Sequence, residues 1–184
     1  MRPPIGTFEH AEPAAESDAC TGPAAEAVRA WSGPVPADQL LYVDTDPEKA
    51  DTEVFVRTYG EELWEASANC VVVAAKRGGE RGLAACVVPS ATRVDVNGAA
   101  RRQLGARKVS FAPRDLAVGE TGMEYGGITP VGLPEAWPLL VDAAVADLPW
   151  VLIGSGRRRG KLIVPGKALA GLPGATVVEG LGVR

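Results

Sequence analysis

The chain has 184 residues, 46% of them hydrophobic and 23% charged, values that fit one globular domain with a sizeable core. A net charge of −4 argues against a broad nucleic-acid-coating surface and leaves only a local basic patch for any RNA contact. Three cysteines without a CxxC pair form no complete disulfide framework, and a single histidine, His10, removes the usual metal ligand and the usual base of Ser-His or Cys-His catalysis.

Residues 1–23 are rich in Ala, Pro, Glu and Gly without an apolar period, and they read as a disordered tail ahead of a single domain at 24–184. No basic start precedes an apolar run, and no stretch approaches the roughly 18 apolar residues of a membrane span, so a soluble protein in the reducing cytoplasm is expected. AAEAVRAW at 24–31 predicts a short helix ended by Gly33 and Pro34, and LLYVD at 40–44 a short strand. Thr52 with Val54, Phe55 and Tyr59 predicts a capped amphipathic helix closing at Gly60.

CVVVAAK at 70–76 and GLAACVVP at 82–89 flank a glycine turn and predict a hairpin of central strands covered on both faces. A helix over 95–104, capped by Asp95 and stopped by Gly105, a strand over 108–111 and a helix over 113–118 follow. Strands are predicted at 137–145, 149–156, 161–165 and 175–180, with a short helix at 166–172. The irregular order of helices and strands points to an α+β domain with a mixed sheet, and no internal repeat is visible.

TGMEYGGITPVGLP at 121–134 carries four glycines and two prolines in fourteen positions, so it is a shaped loop. Gly126 and Gly127 leave backbone N–H groups uncovered, which suits donation to a ligand oxygen, although a tight turn between core elements has the same composition. Gly154 to Lys161, GSGRRRGK, follows a strand like a phosphate loop. It lacks the glycine, the Ser or Thr and the following helix of a Walker loop, and it remains a cationic turn that either contacts phosphate or is solvated. Cys70 and Cys86 read as packed strand residues, and Asn69 as a polar residue at a strand entrance.

In order and spacing, SANCVVVA at 67–74, LGARKVSF at 104–111, TGMEYGGITPVG at 121–132, LLVD at 139–142 and IGSGRRRGKL at 153–162 resemble the YbaK/ProRS editing-domain family. The resemblance covers about residues 50–180 and implies a mostly antiparallel, barrel-like sheet flanked by helices, with trans-editing hydrolysis of mischarged aminoacyl-tRNA as the activity. It implies that the backbone of Gly126, Gly127, Ile128, Thr129 and Pro130 orients the ester, and that Asn69 stands where members commonly carry a lysine. Val71, Asp142, Ser155, Gly156, Arg157 and Arg158 are the expected substrate-binding residues. No cofactor or metal is implied. The implied partner is the acceptor end of aminoacyl-tRNA, with neither DNA nor membrane, and a homodimer is allowed. The lost lysine keeps a rival reading open, a non-catalytic binder of a tRNA acceptor end, an aminoacyl nucleotide or a protein.

Overall fold

A computed structural model describes residues 1–184. Its N-terminal third holds β1 (Ala11–Pro13), α1 (Gly22–Arg29), β2 (Leu41–Val43), α2 (Thr52–Tyr59) and α3 (Leu63–Ala66). The long hairpin β3 (Ala68–Arg77) and β4 (Glu80–Pro89) follows, then β5 (Arg93–Val94), α4 (Ala99–Gln103), β6 (Lys108–Phe111) and α5 (Arg114–Thr121). After the glycine-rich loop come β7 (Leu139–Asp142), α6 (Ala143–Ala146), β8 (Val151–Gly154), β9 (Lys161–Val164), α7 (Gly166–Ala170), β10 (Ala175–Val178) and β11 (Gly182–Val183).

Gly78 and Gly79, both at positive φ, make the two-residue turn of the β3–β4 hairpin, where a side chain would strain the backbone. Period-two alternation then decides what each strand buries. On β4, Ala85 and Val87 join one core cluster with Val141, Ile153, Leu162 and Leu169, while Ala84, Cys86 and Val88 join a second with Val73, Leu104 and Val109. Burial on both faces is the reason this run is almost continuously apolar.

Besides a two-stranded antiparallel ladder of β5 with β11, two larger open sheets result. One has five strands in the order β10-β7-β4-β3-β6, with β7 parallel to β4 and β10 and the other pairs antiparallel. The other has four antiparallel strands in the order β1-β2-β9-β8. The barrel implied by the resemblance does not close. Only a single bridge, Ser67 to Leu152, links the sheets, and β6 pairs with β3 from Val73 to Lys76 alone. The early half of β3 is therefore left without a ladder partner on that side.

Two further expectations are corrected. Residues 1–23 are not a disordered tail: β1 extends the four-stranded sheet against β2, Phe8, Ala11, Ala14 and Cys20 are buried, and Phe8 stacks on Tyr59 at 5.0 Å. A three-residue strand and alanine contacts leave no periodic signal to read. The apolar run 137–145 is not one strand but β7 followed by α6, because the Asp142 carboxylate accepts from the Ala144 N–H (2.9 Å) and starts a helical turn. No helix is long and apolar enough to cross a membrane.

Candidate active site

The unpaired half of β3 forms one wall of a cleft of about 500 Å³. Ser67, Asn69 and Val71 stand on that wall, Leu152, Ile153 and Gly154 of β8 and Lys161 of β9 lie opposite, and Phe55 and Val56 of α2 line it too. The glycine-rich loop contributes Tyr125, Gly126 and Ile128.

Backbone contacts set the loop on the β8–β9 turn. The Gly156 N–H donates to the Gly127 carbonyl (2.7 Å), and the Glu124 N–H donates to the Gly156 carbonyl (2.9 Å). A Cβ on Gly127 would meet the Arg157 carbonyl oxygen at 2.2 Å, and one on Gly154 would meet the Gly127 carbonyl oxygen at 2.5 Å. Both glycines are needed for backbone to pack on backbone here.

The amide inventory differs from the one the paired glycines suggested. The Gly127 N–H is already donated to the Glu124 carbonyl (3.0 Å), so it is not free for a ligand. Gly126 and Ile128 N–H groups have no protein partner, and both residues line the cleft. Thr129 and Pro130 face away from it. Thr129 is fully buried with an unpartnered hydroxyl, and Pro130 lines a second cavity of about 300 Å³ beside Trp31 and Trp137.

Of the other expected substrate-binding residues, only Val71 lines the cleft. Asp142 is 4% exposed and structural, accepting from Ala144 and from the Gly182 N–H (2.6 Å), which ties the C-terminal strand to β7. The Ser155 hydroxyl is spent inside its own turn, donating towards the carbonyls of Arg157 (3.2 Å) and Arg159 (2.9 Å). Gly156 is a buried turn residue at φ +89°. The arginines separate. Arg157 reaches Thr21 (3.4 Å), and Arg159 makes a two-pronged ion pair with Asp44 (2.7 and 2.8 Å) that holds the Asp44 carboxyl below its ordinary range. Arg158 alone turns towards the cleft lip, where its guanidinium would lie 3.0 Å from a Cβ on Gly126.

Several cleft residues were not singled out from the sequence. Lys161 looked like the end of a cationic turn, yet strand alternation puts it on the face of Ile163, and its ammonium sits 5.6 Å from the Phe55 ring centroid. Phe111 and Tyr125 border the cleft and are 56% and 51% exposed, with the Arg114 guanidinium 4.3 Å from the Tyr125 ring centroid. The signal for these was only a large aromatic in a polar setting. Asn69 is exposed, with a long contact to the Ser90 hydroxyl (3.5 Å).

Side-chain nucleophiles find no support. Burial, reinforced by neighbouring Cys86, pushes the Cys70 thiol well above its ordinary range, and burial takes Cys86 to about 12. His10 is at the surface beside the N-terminal ammonium (3.1 Å), outside the cleft lining.

A sequence model of the aminoacyl-tRNA editing domain matches residues 46–172. The fold is similar to that of a crystal structure described as a candidate trans-editing enzyme for prolyl-tRNA synthetase (22% identity, TM-score 0.70), covering 89% of this chain and 99% of that one. It is also similar to a scaffold used for grafting linear epitopes (19% identity, TM-score 0.74, covering 91% and 100%) and to the hypothetical protein APE2540 (21% identity, TM-score 0.69, covering 88% and 100%).

Proposed function

The chain belongs to the aminoacyl-tRNA editing-domain family, and from that premise we propose that it is a trans-acting deacylase hydrolysing the ester of a mischarged aminoacyl-tRNA. The observation that carries this reading is the pair of unpartnered N–H groups, Gly126 and Ile128, on the cleft wall. They are suited to polarise the ester carbonyl and to hold the oxyanion formed when water adds to it. Collapse breaks the bond to the ribose oxygen, and the proton lost by the water ends on that oxygen. The neighbouring ribose hydroxyl or a bound water relays it, so no histidine or thiolate is required. A candidate trans-editing enzyme sharing the fold supports action in trans.

The exposed rings of Phe111 and Tyr125 suit an unpaired terminal base at the cleft mouth, since aromatic stacking is tolerant of base identity. Choice of amino acid rests on pocket size, because one methylene changes binding by only about 1–3 kcal/mol and a second sieve is needed. This role belongs with translation fidelity in the cytoplasm. The purified protein is expected to deacylate at least one member of a panel of mischarged tRNAs; ester stability across the whole panel would sink the enzyme reading.

Asn69 favours a second reading. It offers no charge where the resemblance implies a lysine, and its nearest polar partner is 3.5 Å away. A binder would hold an aminoacyl-tRNA end tightly and leave the ester intact, whereas rapid turnover excludes it.

A further inference from the structure

The charges around the cleft are lopsided. Although the chain carries a net charge of −4, no Asp or Glu lines the cleft, and the only formally charged lining residues are Arg114 at the rim and Lys161 within. Arg114 is occupied by the Tyr125 ring. Lys161 has no carboxylate within 4.0 Å and donates no hydrogen bond; its only close electrostatic partner is the Phe55 ring face.

Lys161 also has company of its own sign. Arg158 lies at the lip above Gly126, and its guanidinium is likewise without a carboxylate within 4.0 Å. The Glu124 carboxylate accepts from the backbone N–H of Arg158 (3.2 Å), and the Arg158 guanidinium itself donates only to the Pro47 carbonyl (3.4 Å). Lys161 pairs across the β8–β9 ladder with Gly154, and Gly154 packs on the carbonyls of Gly127 and Ile128. The lysine is thereby held beside the loop that carries the unpartnered amides. Burial and then the Arg158 charge hold the Lys161 ammonium below its ordinary range, an unfavourable situation that a bound anion would relieve.

We propose that Lys161 and Arg158 form an anion seat in the cleft, where an anionic oxygen of the substrate docks beside the Gly126–Ile128 wall. Two parts of an aminoacyl-tRNA end can supply that oxygen, the phosphate of the terminal nucleotide or a carboxylate on the amino-acid side chain. The α-ammonium of the amino acid is disfavoured at the same place by like charge. The proposal rests on the editing reading for its substrate but not for its test, which uses uncleavable probes.

The test is an NMR titration of the wild-type protein with two matched pairs, AMP against adenosine, and glutamic acid α-amide against glutaminamide. In at least one pair the anionic member is expected to bind about tenfold tighter than its neutral counterpart, the size of one charge-assisted hydrogen bond, and the pair that responds identifies the source. Lys161→Met is expected to bring that ratio to about one while leaving neutral-probe affinity unchanged, and Lys161→Arg to restore most of it. Equal binding within both wild-type pairs overturns the seat without any variant, as does an anion preference that survives in folded Lys161→Met. Because no probe has an ester to cleave, a seat with no deacylation sinks only the enzyme reading, and deacylation with no anion preference sinks only the seat.

Discussion

Adjacent glycines at the heart of the loop are there for different reasons, and substitution separates them. At Gly127 an added methyl meets Arg157 backbone at 2.2 Å, on a turn that is itself tied down, so Gly127→Ala is expected to lower stability by about 1–3 kcal/mol and to abolish deacylation. At Gly126 the contact is a mobile guanidinium tip, but φ is +85°, so Gly126→Ala should cost about 1–2 kcal/mol through backbone strain. Thermal melts with parallel deacylation assays distinguish the two. Lys161 gives a prediction of opposite sign. Its native pKa lies below the unfolded 10.5, so the native state releases this proton first as pH rises. The charge therefore destabilises the fold fully below the native pKa, and that penalty fades as pH climbs to 10.5. Lys161→Met should melt higher than wild type near neutral pH, by about 2–4 °C for each kcal/mol recovered, and the gap should close in alkaline solution. A melt that is lower at neutral pH contradicts this account.

Individual elements carry the next distinctions. If Asp142 starts α6 and anchors β11, then Asp142→Ala should lose about 1–3 kcal/mol of stability while KM for a mischarged tRNA stays at the wild-type value. A raised KM in a folded variant would return Asp142 to the substrate. The aromatic rim made by the end of β6 and the glycine-rich loop predicts the reverse pattern: Tyr125→Ala or Phe111→Ala should leave the melting temperature nearly unchanged and raise KM about fivefold to a hundredfold, the worth of one stacked base. Which of these elements could be read beforehand follows from where each one's information lies. β3, β4 and β6 were legible because burial on one or both faces writes itself into neighbouring residues, and the glycine loop because φ and close approach select glycine. Asp142 is ambiguous from sequence because a carboxylate at a strand end looks the same whether it meets a substrate or, as its bonds to Ala144 and Gly182 show here, backbone N–H groups. Lys161 carries no local signal in the sequence because what sets it apart is Phe55, over a hundred positions away in the chain, whose ring lies 5.6 Å from its ammonium. Cys86, expected as a packed strand residue, is a free thiol buried in the core on β4.

Across the whole molecule, the site exists because the two sheets fail to join. A longer β6 would cover Ala68 to Val71 and fill the wall on which Asn69 and Val71 stand. The N-terminal segment belongs to this arrangement, since β1 protects the edge of β2 and Phe8 packs with Phe55 and Tyr59 of the helix bordering the cleft. Removal of residues 1–23 is accordingly expected to cost at least about 2–3 kcal/mol from Phe8 burial alone and to expose a strand edge that promotes association. Calorimetry and light scattering of the shortened chain check both effects, and an unchanged, monomeric melt would refute them. The second cavity has a different consequence. Pro130, at the back of the substrate loop, shares it with the indoles of Trp31 and Trp137. Any shift of the loop as it engages an ester changes the surroundings of two native chromophores, so emission from the unlabelled protein reports, in real time, on a movement occurring on the far side of the backbone from the chemistry.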